Sequence, residues 1–243
     1  MEPTFYQFNR PNNGLPYLVT VRDVDGLTMS LTPHLVTGAI PYKTRPDGLP
    51  DSGELSKALR IEDSIIAKLG SDFIYLGHIT HSGNVKVVFH SSKAAPSNLV
   101  IKTGLLQKVT IELATRLDPQ WLWFDANMAA SPIEKEIGRN QALIQTLAQH
   151  GDVSSKERDI DFTSYFDTRD QAQTFADAVT ANGFTLGKSG IYETDSPDQP
   201  FTVSLVKFGK AEPLALAQDC AFLRAQTEAQ QGVFDGWGCG IVK

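Results

Sequence analysis

Cysteine is nearly absent: Cys220 and Cys239 are the only two in 243 residues, too few for a disulfide framework. Cys220 falls on an expected helix and Cys239 on the expected last strand, so both read as packed, reduced thiols. Neither shows the cationic neighbour or helix N-terminus that lowers a thiol pKa. Long apolar runs are missing as well; none approaches the roughly 18 residues of a membrane span. The opening Met1-Glu2-Pro3-Thr4-Phe5-Tyr6-Gln7 has no basic flank leading into an apolar stretch, so a cytoplasmic protein without membrane association is expected.

Catalytic signatures are also lacking. Gly187-Lys188-Ser189 has Asn182 where a phosphate-binding loop needs its first glycine, and Gly190-Ile191-Tyr192 follows in place of a helix. Backbone amides cannot converge on a phosphate without that turn. There is no Gly-x-Ser-x-Gly elbow and no His-Glu-x-x-His helix. His78, His81 and His90 lie on the two arms of one expected hairpin, and residues three apart on a strand face opposite sides, so His78 and His81 do not share an ion. Glu62 and Asp63 are neighbours on a helix and suit a solvated face or a cap better than paired acid–base work. No catalytic residue, metal site or cofactor is therefore expected.

What is present fits a soluble globular chain, 41% hydrophobic and 21% charged, with room for two ordinary cores. Charge is uneven along it. Residues 1–150 hold 14 Lys/Arg and 14 Asp/Glu, whereas residues 151–243 hold eight against fourteen, so the entire net charge of −6 falls in the C-terminal part. An acidic surface repels phosphate backbones and attracts basic segments, which points away from direct nucleic-acid binding and toward a basic protein partner.

Periodicity in that part gives a β-α-β-β-α-β order. Ile160, Phe162, Ser164 and Phe166 alternate with Asp159, Asp161, Thr163 and Tyr165, a strand with one buried and one exposed face. Thr168 and Gln171 then form a capping box before Ala172, Phe175, Ala176 and Val179, and Gly183 ends that helix. A strand from Phe184, a polar loop over Thr194–Pro200, a strand over Phe201–Phe208, a helix from about Glu212 to Gln230 and a strand from Val233 complete the order. Two helices on a four-stranded antiparallel sheet, the ferredoxin-like arrangement, bury such elements most simply.

The N-terminal part repeats the theme. A hairpin over residues 4–23 and a strand near Leu35–Lys43 precede a helix capped by Asp51 and Glu54 and closed by Gly70. Strands at Phe73–His81 and Val85–Phe89 flank the turn Ser82-Gly83-Asn84. A short helix near Ser97–Leu106 and strands at Val109–Arg116 and Trp121–Asn127 follow. Ser131-Pro132-Ile133-Glu134 opens a linking helix closed by Gly151 and expected to dock through the apolar stripe Ile137, Ile144, Leu147 and Ala148, and the polar stretch Asp152–Glu157 is the expected flexible joint. The expected fold is thus α+β: two ferredoxin-like α/β-sandwich units, antiparallel sheets with helices on one face, with residues 1–130 as the first domain, 131–151 as the linking helix and 152–243 as the second domain.

The string Glu157-Arg158-Asp159-Ile160-Asp161-Phe162-Thr163-Ser164-Tyr165-Phe166, with Asn182-Gly183-Phe184 and Phe234-Asp235-Gly236-Trp237-Gly238-Cys239, resembles the regulator of ribonuclease E activity B family. Over Arg45-Pro46-Asp47-Gly48-Leu49-Pro50, Ile61-Glu62-Asp63 and Leu117-Asp118-Pro119-Gln120-Trp121, the N-terminal part resembles a domain of unknown function that often precedes that module. The resemblance implies a non-catalytic protein that binds the scaffold region of ribonuclease E and alters transcript turnover. Stand-alone members commonly carry an acidic tail, whereas this chain reaches Lys243 directly after its last strand, so inhibition is implied less directly for the fused form.

From the residues themselves, Asp159, Asp161, Tyr165, Asp235 and Trp237 are the candidate partner-binding set, acidic groups beside aromatics. For Trp237, between Gly236 and Gly238, filling the core is an equal alternative. RNA-binding versions of this sheet use a Lys/Arg-Gly-aromatic strand, which Asp159 and Asp161 oppose. The competing reading of the whole chain is a small-ligand or enzymatic module with a pocket between the halves.

Overall fold

The computed structural model describes residues 3–243 except 11, 26, 28–30, 105–106 and 196–197. The chain divides into two compact units, Met1–Ala130 and Ser131–Lys243.

In the first unit, strands β1 (Phe5–Asn9), β2 (Leu18–Arg22) and β3 (His34–Pro41) precede helix α1 (Ser52–Leu69). Strands β4 (Phe73–His81), β5 (Asn84–Ser91), β6 (Asn98–Lys102) and β7 (Lys108–Leu117) and the short helix α2 (Leu122–Asn127) follow. The strands form one antiparallel sheet in the order β1-β2-β4-β5-β3-β7-β6. Its inner run β4-β5-β3-β7 has the ferredoxin-like strand order, with β6 standing where that motif's second helix would be.

Asp51 caps α1 by accepting from the Glu54 N–H at 2.8 Å, and Gly70 at φ 71° ends it. Between these stops Ala58, Ile61 and Ile65 recur at helical spacing and pack on Val36, Ile40, Val87 and Phe89 of the sheet. Alternate residues of the same strands, Leu35 and Val88, join a second core on the opposite face with Leu76, Ile79, Trp121, Phe124 and Met128. The sheet is therefore covered on both faces, by α1 on one and by α2 on the other.

Two expected elements change type. The strand expected at Trp121–Asn127 is helix α2, because Trp121, Phe124 and Met128 recur at three- and four-residue steps and the Asp118 carboxylate accepts the Trp123 N–H at 3.1 Å. The helix expected near Ser97–Leu106 is strand β6 over Asn98–Lys102; Ile101 is buried, Val100 is exposed, and the segment pairs with β7 from Asn98↔Glu112 to Lys102↔Lys108. Leu105 and Leu106 lie outside the described residues.

The second unit contains α3 (Pro132–Gln149), β8 (Glu157–Phe166), α4 (Arg169–Thr180), β9 (Thr185–Glu193), β10 (Phe201–Lys210), α5 (Pro213–Ala229) and β11 (Val233–Cys239). Its antiparallel sheet has the order β11-β8-β10-β9, the ferredoxin-like arrangement. Both expected capping boxes are formed, Ser131 with Glu134 on α3 and Thr168 with Gln171 on α4. Phe175, Ala176 and Val179 of α4 and Leu216, Cys220 and Leu223 of α5 close the core over Ile160, Phe162, Val203 and Leu205.

Helix α3, expected as a link, packs on α5 within this unit. The buried Glu136 carboxylate accepts from Arg224 Nε at 2.6 Å and from Arg139, and Asn140 Nδ2 lies 3.6 Å from Cys220 Sγ. The stretch Asp152–Glu157, expected as a flexible joint, is tied down by the buried Arg158 guanidinium. That group pairs with Asp152 and donates to the carbonyls of Val153 at 2.5 Å, Lys156 at 3.1 Å and Gly240 at 3.2 Å. Desolvation works against the charged Asp152, but the Val242 N–H and Arg158 outweigh it and hold its carboxyl below the usual range.

Candidate protein-binding face

Strand β8 alternates strictly. Arg158, Ile160, Phe162, Ser164 and Phe166 are buried toward the helices, which leaves Asp159 and Asp161 exposed and Tyr165 half-buried on the other face. Register assigns their neighbours: Asp159 faces Phe208 on β10, Asp161 faces Val206 on β10 and Gly238 on β11, and Tyr165 faces Thr202 on β10 and Val233 on β11. Because Gly236 and Gly238 carry no side chains, the β11 flank of the two aspartates stays open.

A bulge between Phe234 and Gly236 displaces Asp235, whose exposed carboxylate accepts the Tyr165 hydroxyl at 3.3 Å. Partial burial and then the Asp235 charge raise the Tyr165 phenol above its ordinary pKa, so it remains a neutral donor. Tyr192 on β9 pairs with Thr202, which places two phenols on either side of that strand.

Asp159, Asp161, Tyr165 and Asp235 are thus brought together. Trp237 is not with them: it pairs with Phe162 and packs half-buried against the core on the helix side, its Nε1 lacking a hydrogen-bond partner among the described residues. Two aromatics absent from the expected set belong to the open face, Phe208 at 65% exposure and Tyr192 at 39%. The signal for Phe208 was an inverted alternation at the end of β10, where Lys207 takes the inward position and Phe208 the outward one. Lys207 tolerates that position because Asp219 holds its ammonium at 2.5 Å and the Phe184 ring centroid lies 4.9 Å away.

In the first unit Glu62 is buried rather than solvated, at 3% exposure. Its Oε1 accepts the Tyr75 hydroxyl and lies 2.9 Å from His78 Nδ1, while Asp63 is exposed. Tyr75 and His78, three apart, share that face because a bulge between Tyr75 and Gly77 shifts the register of β4. His81 lies elsewhere, its Nδ1 2.9 Å from the Pro16 carbonyl. His90 is fully enclosed: its Nδ1 donates to the Thr32 carbonyl at 2.8 Å and its ring centroid is 4.1 Å from that of Trp121. Among the described residues no group of three His, Cys, Asp or Glu is placed to hold a metal ion. Burial pushes the Cys220 thiol up to about 12, far from a reactive thiolate.

The open face thus sets Asp159, Asp161 and Asp235 beside Tyr165, Tyr192 and Phe208 on a ferredoxin-like strand order. Residues 138–239 match the family described as Regulator of ribonuclease activity B, and residues 19–126 match a Family of unknown function (DUF695). The second unit is thus similar to the Regulator of ribonuclease activity B family over most of its length. The match to that regulator family begins inside α3, and the DUF695 match runs from β2 to the end of α2. A search of curated proteins finds no match. The regulator family implies a regulatory role for the C-terminal part. No helix among the described residues is long and apolar enough to cross a membrane.

Proposed function

We propose that the second unit is a non-catalytic, cytoplasmic regulatory module that binds a basic segment of another protein through the open face of its sheet. The ribonuclease E scaffold region is the partner that the family points to. One observation carries the reading: Asp159, Asp161 and Asp235 stand exposed beside Phe208, Tyr165 and Tyr192, in the part of the chain that holds all of the net charge of −6. Carboxylates set among aromatic faces suit arginine-rich segments, since a guanidinium can pair with the former and stack on the latter. Trp237 contributes packing beneath that face rather than contact across it.

Exposed charges act over about 8 Å at physiological ionic strength, so association is expected to slow and weaken as salt rises. The test is fluorescence anisotropy of labelled ribonuclease E scaffold peptides across a salt series, with wild type, Asp159→Asn/Asp161→Asn and Phe208→Ser. Binding that loses affinity and salt slope in the first variant, and affinity alone in the second, supports the reading. If no peptide binds even at low salt, ribonuclease E is not the partner; if both variants bind as wild type does, this face is not the interface.

A further inference from the structure

We propose that the first unit holds a binding site for a small phosphoryl dianion in a cleft of about 200 Å³ lined by Leu35, Thr37, Lys86, Ala114, Arg116 and Trp123. Register builds it. On the sheet face away from α1, Leu35 pairs with Arg116 and Thr37 with Ala114 across β3 and β7, and Lys86 projects from β5 beside Ala39. The small side chains of Thr37 and Ala114 leave the floor low, with one hydroxyl in it, and the longer ones rise around it.

Two cations converge there without a carboxylate partner among the described residues. The Arg116 guanidinium carbon lies 5.5 Å, and Lys86 Nζ 5.9 Å, from the centroid of the same Trp123 ring. Trp123 packs half-buried on the core, and its backbone N–H donates to the buried Asp118 carboxylate at 3.1 Å, which holds the first turn of α2. One indole therefore gathers two like charges at one cleft, where an anion would complete the set.

The chemistry selects the ligand. A guanidinium offers two parallel donors to adjacent phosphoryl oxygens, and an ammonium adds a point charge with rotatable donors. The Thr37 hydroxyl can serve a third oxygen. The volume falls below the ~300–1,000 Å³ typical of drug-sized ligands, which limits the occupant to free phosphate or a small phosphate monoester.

The experiment titrates the full chain with glycerol phosphate and with inorganic phosphate, at ionic strength matched with sodium chloride. It follows tryptophan fluorescence and, in parallel, phosphorus NMR line broadening. Saturable binding that weakens about tenfold in Arg116→Gln and severalfold in Lys86→Gln, with melting unchanged, supports the site. Tighter glycerol phosphate identifies a monoester as the ligand, and equal or tighter inorganic phosphate identifies the free ion. The proposal is overturned if neither probe saturates by either readout, if both variants bind as wild type does, or if Lys102→Gln on β6, outside the cleft lining, weakens binding as much as Arg116→Gln.

Discussion

Removing the Glu136 carboxylate tests whether α3 is part of the second unit's fold. In Glu136→Ala the group lost is 2% exposed and accepts from two guanidinia, Arg224 at 2.6 Å and Arg139. Each hydrogen bond to a charged group contributes about 1.5–3 kcal/mol net, but the Arg224 and Arg139 side chains are 28% and 35% exposed and can turn to water. Somewhat less than the lower end of that range, about 1–1.5 kcal/mol for each contact, gives a loss of about 2–3 kcal/mol. At roughly 4 °C per kcal/mol for a unit of this size, the melting temperature should fall by about 8–12 °C. The effect should also reach β11, because Arg224 lies over the Phe234 ring at 5.0 Å and its Nη1 donates to the Phe234 carbonyl at 3.4 Å. The assay is near-ultraviolet dichroism of fragment 131–243 on heating, with Glu134→Ala as a control that removes the capping-box contact, worth about 1 kcal/mol. A Glu136→Ala melt within about 2 °C of wild type, or no lower than the control, would refute the assignment of α3 to this unit.

Fragment 152–243, lacking α3, should melt lower and less cooperatively than 131–243, and equal melts would show α3 to be dispensable. Gly77→Ala should cost about 3–5 kcal/mol in denaturant titrations, because Gly77 sits at φ 119° and an added methyl would overlap the Thr20 carbonyl; a loss under 1 kcal/mol would mean the β4 bulge relaxes freely. Arg158→Met should destabilise the second unit by about 3–5 kcal/mol, since it strands the buried Asp152 carboxylate and frees three carbonyls, and a neutral result would refute that role. Burial lowers the His90 pKa, so the folded state keeps the ring neutral while the unfolded chain takes up a proton. Its contribution is therefore complete above about pH 6.5 and is lost as pH falls below that, at no more than about 1.4 kcal/mol per pH unit, and His90→Gln should flatten this slope; an unchanged slope would assign it to other groups.

Local pattern carried the second unit well, and the reason lies in how its signals are generated. The period of β8, the two capping boxes and the apolar stripe of α4 arise from residues within one or two turns of each other, so the chain displays them directly. Elements that failed did so where a distant contact decides. Asn98–Lys102 is a strand because β7 offers an edge, and Leu122–Asn127 is a helix because Trp121 and Phe124 are needed on the far face of the sheet. Glu62 looked like half of a solvated acidic pair; the register shift that brings Tyr75 and His78 beneath it is made by Gly77 approaching the Thr20 carbonyl of β2, far away in sequence.

The candidate faces divide along the same line. Net charge is additive along the chain, so the acidity of the C-terminal part was countable residue by residue. Which face displays it was readable only as far as strict alternation held. Asp159 and Asp161 obey that alternation, whereas Trp237 follows a bulge at Asp235 that changes the side on which each later residue of β11 falls. Lys207 and Phe208 exchange places because Asp219 on α5 supplies the inward lysine with a counter-charge. A lysine in an inward slot with an aromatic in the next outward one therefore signals two things at once: a carboxylate on the covering helix and an apolar group left for a partner.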